Sequence, residues 1–181
     1  MAEAFSNSLT RAVGIVSTSS SGSILEYSTH ISGISTVNVS VGNIVDHDNY
    51  LAGTKVTGYG ATAGTVTVDR ASTNSAAISS QNVKFLGVTT CYTSPAATKS
   101  ILIGGTFANN TSSSVNLTVE IYDNSGTVAS QLASKIPVPT GSSFVISDAG
   151  KTILEAEDVV RVYCDTANAL DVNLSILTGV N

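Results

Sequence analysis

The sequence contains few charged residues, few prolines and no tryptophan. Of its 181 residues, 12% are charged, three are Pro, two are Cys and one is Met. The charged share is about half of that usual in globular proteins, while the apolar share of 42% is large enough to build a core. The surface is therefore predicted to be neutral and rich in hydroxyl groups, which favours packing into an assembly.

The basic residues are too few and too dispersed for a nucleic-acid-binding surface. There are eight, scattered from Arg11 to Arg161, and the formal net charge is −5, whereas nucleic-acid binding requires concentrated positive charge. No apolar run is long enough to span a membrane as a helix, and MAEAFSNSLT lacks the basic and apolar regions of a signal peptide. We expect no nucleic-acid partner, no membrane partner and folding in a cytosol.

The two cysteines, Cys91 and Cys164, lie in runs that are typical of strands. In a chain that folds in a cytosol, we expect both to be reduced, buried thiols that behave as small apolar residues. A disulfide between them would require their Cα atoms to approach within about 7 Å. A nucleophilic cysteine would require a neighbouring His or cation, and the sequence places neither nearby.

Apolar and polar residues alternate along most of the chain, which is the pattern of half-buried strands. The alternation is clear over residues 37–41, 115–122 and 170–176, and turn-forming residues separate such segments. Only Val128 to Lys135 and Ile153 to Asp158 are compatible with helix. The pattern therefore predicts an all-β fold, either a sandwich or a barrel, with an additional hairpin-rich N-terminal region.

The pattern divides the chain into three segments. Residues 1–14 are predicted to be an N-terminal docking arm, 15–86 a hairpin-rich region, and 87–181 the β-sandwich domain. In the arm, Phe5 and Leu9 are four residues apart and could anchor a short helical turn on a partner, while the surrounding polar residues give the segment little to bury by itself.

The triplet Asp46–Asp48 raises the question of a metal or catalytic site. The calcium-loop pattern fails because Tyr50 and Leu51 stand where Asp or Asn and Gly are required. Zinc would require more ligands, and His30 and the cysteines lie in other segments. We predict an exposed turn between a strand ending near Val45 and one beginning near Gly53; a weak calcium site is the alternative.

Other patterns associated with catalysis are equally weak. His30 and His47 lie in no context that orients them for a hydrolytic triad, and the chain has no Gly-x-Ser-x-Gly elbow. The glycines of GYGATAG lead into another strand rather than a helix N-terminus, so a turn is predicted there and not a phosphate loop: Gly58, Gly60 and Gly64. The acidic cluster of LEAED is predicted to be a solvated turn: Glu155, Glu157 and Asp158. We predict no catalytic residue, no metal site and no cofactor.

Several short motifs of the C-terminal half support a family resemblance. They are YTSPA at 92–96 entering a strand, Phe107 to Asn109 leaving one, the pattern P-x-G-x-x-x-V-x-S at 139–147, and Leu154-Glu155-x-x-Asp158 before Val160 to Val162. With these motifs, the chain resembles small β-sandwich virion proteins of tailed bacteriophages, especially those that infect marine cyanobacteria. SNSLTRAVG is similar to the amino terminus of that group, and residues 41–73 resemble an inserted hairpin element of such phages.

The resemblance implies an antiparallel β-sandwich of the jelly-roll or immunoglobulin-like kind. It also implies a non-enzymatic structural protein located in the virion and made in the host cytoplasm. It implies an accessory or decoration protein bound to the capsid, neck or tail. The expected partners are other virion proteins and the chain itself, as a homo-oligomer, a trimer or hexamer. The family offers no catalytic residues to assign.

Two other function classes remain as alternatives. One is a fibre-type adhesin module that contacts the host surface through exposed loops such as Asp46 to Leu51. The other, a carbohydrate-active enzyme, is disfavoured because the sequence shows no acidic pair beside the aromatic residues that sugars usually need.

Overall fold

The protein is described here by a computed structural model covering residues 3–147 and 151–180, and it is all-β over these residues, with no helix among them. All strand pairs are antiparallel. The strands are β1 (Ala4–Val13), β2 (Ile15–Ile24), β3 (His30–Ser32), β4 (Ile44–Asp46), β5 (Val56–Tyr59), β6 (Val66–Val68), β7 (Ile78–Gly87), β8 (Thr89–Thr93), β9 (Lys99–Asn109), β10 (Val115–Asp123), β11 (Val128–Val138), β12 (Ser143–Ile146), β13 (Thr152–Leu154), β14 (Val159–Cys164) and β15 (Leu170–Val180).

The chain divides into two compact units. Unit 1 consists of Met1–Gly14 and Thr89–Asn181, and unit 2 of Ile15–Val88. The boundary predicted after residue 14 coincides with this division, and the one predicted after residue 86 lies two residues before it. The N-terminal segment, however, belongs to the same unit as the C-terminal half.

Unit 1 is a sandwich of two antiparallel sheets. The first sheet has the order β1-β15-β9-β12, and β13 also pairs with β9; the second has the order β11-β10-β14-β8. Alternate residues of β15 point into the core, as the sequence predicted: Leu170, Val172, Leu174 and Ile176. They share one apolar cluster with Leu117 and Val119 of β10 in the other sheet. The predicted sandwich fold is therefore confirmed.

Unit 2 contains one six-stranded sheet with the order β4-β7-β2-β3-β6-β5. Its longest pairing joins β2 and β7, which begins with Ile15 opposite Gly87. A separate apolar cluster forms its core and includes Ile24, Ile31, Val66 and Phe85, each at most 1% exposed. Burial of such side chains stabilises the fold by roughly 1.5–3 kcal/mol each.

The N-terminal segment is a strand of unit 1 rather than a separate arm with a helical turn. β1 pairs with β15 from Ala4 opposite Thr178 to Val13 opposite Leu170, and Val13 is buried. A spacing of four residues fits both the helical period and the strand period of two, so the positions of Phe5 and Leu9 could not distinguish a helix from a strand. The docking role of this segment stays a prediction.

Neither of the two segments compatible with helix is helical in the structure. Residues 128–135 belong to β11, whose pairing with β10 shifts register twice, and these irregularities break the alternation that would have identified a strand. In the segment 153–158, the first two residues end β13 and a turn follows, in which the Asp158 amide donates to the Glu155 carbonyl at 3.2 Å.

The alternating segment 37–41 is also not a strand. Val39 is buried, but Val37 and Val41 are 69% and 60% exposed and lie in turns. The backbone amide of Ser40 donates to the side chain of Asn43 at 2.8 Å. This local hydrogen bond competes with a sheet ladder, which is why alternation alone was misleading here.

Candidate functional site

The triplet Asp46–Asp48 leads from β4 into the predicted turn, but only Asp48 is exposed, and Asp46 and His47 are half-buried. Asp46 ends β4, the His47 carbonyl accepts a hydrogen bond from the Tyr50 amide at 3.0 Å, and His47 Nδ1 accepts from the Asn49 amide at 3.1 Å. The His47 ring is thus engaged by its own turn. The next strand, β5, begins at Val56 rather than near Gly53. Within the described ranges, no three His, Cys, Asp or Glu residues are grouped to hold a metal.

The glycine-rich segment forms the predicted turn between β5 and β6. The Gly60 amide donates to the Thr65 carbonyl at 2.9 Å, and a Cβ atom at Gly60 would lie 2.7 Å from Thr65 Cγ2. Glycine is therefore required here by the close approach of the two strands. His30 lies on β3, and its side chain approaches the Thr29 hydroxyl at 3.4 Å.

The acidic cluster is only partly a solvated turn. Glu155 and Glu157 are exposed as predicted, whereas Asp158 is 6% exposed. Its carboxylate accepts hydrogen bonds from the amides of Glu155 at 2.9 Å and Asn124 at 3.2 Å. Asp158 was misjudged because one of its partners, the Asn124 amide, is distant in sequence and comes near it only in the folded chain. Its role is to tie two turns together.

The cysteines are free and buried, as expected. Burial raises the pKa of each thiol to about 11. Cys91 lies between Thr90 and Tyr92, which pair with Arg161 and Val160 of β14. Cys164 lies three residues beyond Arg161, which places it about 10 Å further along β14 than the residues opposite Cys91. This offset is too large for a disulfide.

A buried ion pair was not predicted. Glu120 of β10 lies opposite Arg161 of β14, is 1% exposed, and its carboxylate contacts the guanidinium. The Glu120 Oε1 and Arg161 Nη2 atoms lie 2.5 Å apart. The guanidinium carbon lies 4.2 Å from the ring centroid of Tyr122. Burial, and then the charge of Glu120, raise the pKa of nearby Tyr163 to about 12.

The charge of Glu120 is balanced within the sheet. The carboxylate is neutralised by one Arg, and the Tyr163 hydroxyl accepts a hydrogen bond from the Gln131 side chain at 3.2 Å. The alternation of Leu117, Val119 and Ile121 had placed Glu120 on the opposite, solvent-facing side of the strand. Its partner could be identified only from the register of β10 and β14.

The first sheet of unit 1 carries apolar side chains on the face turned away from the core. One row across it consists of Phe5, Leu177, Ile101 and Ile153. A second row consists of Leu9, Asn173, Thr106 and Val145. Residues opposite each other in register point to the same face, and the neighbours of the first row, such as Leu102, are buried in the core. We call this surface, together with Ile103 between the rows, the apolar face.

The apolar face is strongly exposed at its margins. Phe5 is 79%, Leu9 71%, Ile153 61% and Val145 54% exposed. The two rows and the strands that carry them span on the order of 400 Å², and this area includes the polar residues Asn173 and Thr106 of the second row. Single exposed apolar residues are common, but the first row, which aligns four apolar residues, requires an explanation.

A groove lies on this face beside Phe5. It has a volume of about 510 Å³ and is lined by Phe5, Ser6, Asn7, Ile103, Ser175 and Ile176. Two of the lining residues, Asn7 and Ser175, lie opposite each other in register, and the Ser175 hydroxyl donates to Asn7 Oδ1 at 3.3 Å. The face therefore has a projecting aromatic ring next to a recess.

The charged residues around the apolar face are balanced in sign. At one end Arg11 lies 3.9 Å from Asp171, and at the other Lys99 lies 3.0 Å from Glu155. Two more charged residues directly precede strands of this sheet: Glu3 before β1 and Lys151 before β13. Among the residues that the structure describes, these six give the border three basic and three acidic side chains.

β1 is also an edge strand of the sheet. It has ten residues, none of them Pro or Lys, and its register shift is confined to the end between Thr10 and Val13. By contrast, the edge strand β11 contains Lys135 and Pro137 and is interrupted by two register shifts. Natural proteins use such features to prevent edge pairing, and β1 lacks most of them.

Among the described residues, no helix is long and apolar enough to cross a membrane. Comparison of the chain with protein-family models, with curated proteins and with solved structures gave no match.

Proposed function

We propose that this chain is a non-enzymatic structural protein of a tailed-bacteriophage virion, an accessory or decoration protein that binds the particle surface and other copies of itself. The apolar face beside the edge strand β1 is the observation that carries the proposal, because exposed apolar side chains and an incompletely protected edge are typical of association surfaces. The phage assignment rests on the resemblance of the sequence motifs.

The side chains first considered for catalysis support the same proposal. His47 and Asp158 are engaged by main-chain groups of their own turns, and the thiols are buried. These groups stabilise the fold, so the exposed surface is the better candidate for the function.

The proposal is tested by mass spectrometry of purified particles of the encoding phage, with copies counted against the major capsid protein. We expect the chain in every preparation, in hundreds of copies for a capsid decoration protein. Its absence from washed particles would overturn the proposal.

A second candidate function, a fibre-type adhesin, is favoured by the exposed residues of unit 2. Large apolar or aromatic side chains are exposed on or beside its connections: Leu25, Tyr27, Val37, Val41, Leu51 and Tyr59. Exposed aromatic side chains are common in binding surfaces. An adhesin would occur in a few dozen copies per particle at most, and the purified chain would block phage adsorption to host cells. Tyr27→Ser and Leu51→Ser variants would lose that inhibition, whereas Val128→Ser in unit 1 would keep it.

A further inference from the structure

We infer that the apolar face binds the apolar face of a second copy through a two-fold contact, in which Phe5 of each chain enters the groove beside Phe5 of the other. This inference deepens the self-association part of the proposed function and rests on it. It names both the contacting surface and its symmetry.

The shape of the face is self-complementary. Phe5 projects from β1 and is 79% exposed, and the groove floored by Ser175 lies directly beside it. A two-fold contact places the same patch of both chains together, so it requires a projection and a recess on one surface. Burying a Phe side chain in such a recess removes a large apolar area from water, and this favours association.

The charge pattern also fits a second copy. The whole chain carries a net charge of −5, so two copies repel each other at most orientations. Within the described ranges, the six charged side chains named at the border comprise three of each sign, and each end of the sheet has both signs through Arg11 with Asp171 and Lys99 with Glu155. A copy that approaches by this face therefore meets little net repulsion. A strongly acidic or basic partner would gain nothing from such a border.

The contact is expected to be moderate in strength. The face is on the order of 400 Å², which is smaller than the roughly 800 Å² per partner of a stable protein complex. Association should therefore depend on concentration, and it would be favoured where copies are crowded on a particle surface.

The first test is sedimentation of the full chain over a range of concentrations. We expect reversible association into species with an even number of copies, and at least a tenfold weaker association for Phe5→Glu. Val128→Glu is the matched control: Val128 is 60% exposed and lies on β11, in the other sheet of unit 1. Circular dichroism would establish that both variants remain folded. A strictly monomeric or trimeric parent, or equal effects of the two variants, would overturn the inference.

The second test locates the two-fold axis by cross-linking. Asn7 lines the groove next to Phe5, so Asn7→Cys should form a symmetric disulfide under mild oxidation. Cys91 and Cys164 are buried and do not interfere. Ser112→Cys, at an exposed loop of unit 1, is the control and should remain a monomer on a non-reducing gel. Equal cross-linking at both positions would contradict the contact. Particle occupancy is measured separately, so a virion protein that does not self-associate would refute this inference and the self-association part of the proposed function, and would leave the virion assignment in place.

Discussion

Glu120 shows how a single residue can constrain the second sheet of unit 1. Its carboxylate is almost fully buried, and it is neutralised by Arg161 on the neighbouring strand, whose guanidinium also stacks on Tyr122. A register slip of β10 against β14 would separate the two charges within the sheet. The pair therefore favours one register, even where its net contribution to stability is small.

We predict that breaking this pair from one side strongly destabilises unit 1. Arg161→Ala leaves the Glu120 carboxylate buried without a counter-charge, which should lower the free energy of unfolding by about 3–5 kcal/mol. Lys99→Ala breaks the exposed pair with Glu155 and should cost less than about 1 kcal/mol. Chemical denaturation measures both. Similar losses for the two variants would show that the Glu120 pair has no special role.

The cysteines provide a prediction about reactivity and pH. Because burial raises the pKa of both thiols to about 11 from an ordinary 9.0, the folded protein should not react with a thiol reagent at pH 8, whereas the unfolded chain should react at both positions. The folded thiols hold their protons to higher pH than the unfolded ones, so stability should fall as the pH rises from about 9 to 11. Rapid labelling of the native protein at pH 8 would contradict this prediction.

At the scale of elements, β1 is the part of the fold that differs most from its sequence-based prediction. Its core-facing side bears Ser8 and Thr10, and the Ser8 hydroxyl donates to the Cys91 carbonyl at 2.6 Å. The apolar residues Phe5 and Leu9 point away from the core. Because its apolar residues face away from the core, the segment was predicted to be an arm. In the structure it pairs with β15 along its length.

We predict that deletion of residues 1–13 destabilises unit 1. The deletion leaves one edge of β15 unpaired along its length and removes Val13 from the core. The melting temperature should therefore drop by several degrees or more, in contrast to the behaviour of a detachable arm. The double variant Phe5→Ser, Leu9→Ser is the control, because it changes only exposed side chains. A truncated chain as stable as the parent would favour the arm.

The end of β1 has a specific dependence on pH. The Ala12 amide donates to the Asp171 carboxylate at 3.0 Å, and this hydrogen bond, with a smaller effect of Arg11, lowers the pKa of Asp171 below its ordinary 3.8. The folded state thus favours the charged carboxylate, and its contribution is present at neutral pH and lost as the pH falls below 3.8. We expect Asp171→Ala to speed hydrogen exchange at Ala12 at pH 6, while Asp123→Ala, at a different turn, should not.

Sequence patterns predicted the strands whose apolar residues alternate along one face, even where their pairing contains register shifts. β15 and β10 are such strands, since their core residues alternate without interruption. β11 was ambiguous because register shifts disturb its period, and residues 37–41 were misassigned because side-chain hydrogen bonds form turns there.

The candidate surface could not be predicted at all from local patterns. Phe5, Ile101 and Ile153 are far apart in sequence, and only the register of β1, β15, β9 and β13 aligns them. The Glu120–Arg161 pair was missed for the same reason. The Asp46–Asp48 turn was predictable because its hydrogen bonds are local.

At the scale of the whole molecule, unit 2 is an insertion between β1 and β8 of unit 1. Its first and last strands are neighbours, with Ile15 opposite Gly87, and it has its own apolar core. Chain ends that lie close together are typical of domains that tolerate insertion.

We predict that residues 15–88 fold when expressed alone. The isolated segment should show a β-type circular dichroism spectrum and a cooperative thermal transition, because the residues of its core all lie within it. Phe85→Ala, which removes a side chain that is 1% exposed, should abolish the transition or lower its midpoint strongly. A disordered spectrum of the isolated segment would show that unit 2 depends on unit 1.

The pairing of β1 with β15 has a consequence for synthesis on the ribosome. The Thr178 hydroxyl and the Ala4 carbonyl, 3.2 Å apart in the folded protein, are separated by 174 residues of chain. At translation rates of about 5–20 residues per second, β1 emerges on the order of ten seconds before its partner strand exists. Unit 2 can fold in this interval, during which β1 has no partner strand in its own chain. On a polysome with many ribosomes, β15 of a neighbouring chain can pair with β1 before the chain's own β15 is made. High expression should therefore favour strand-exchanged oligomers, and slow synthesis should make them rarer.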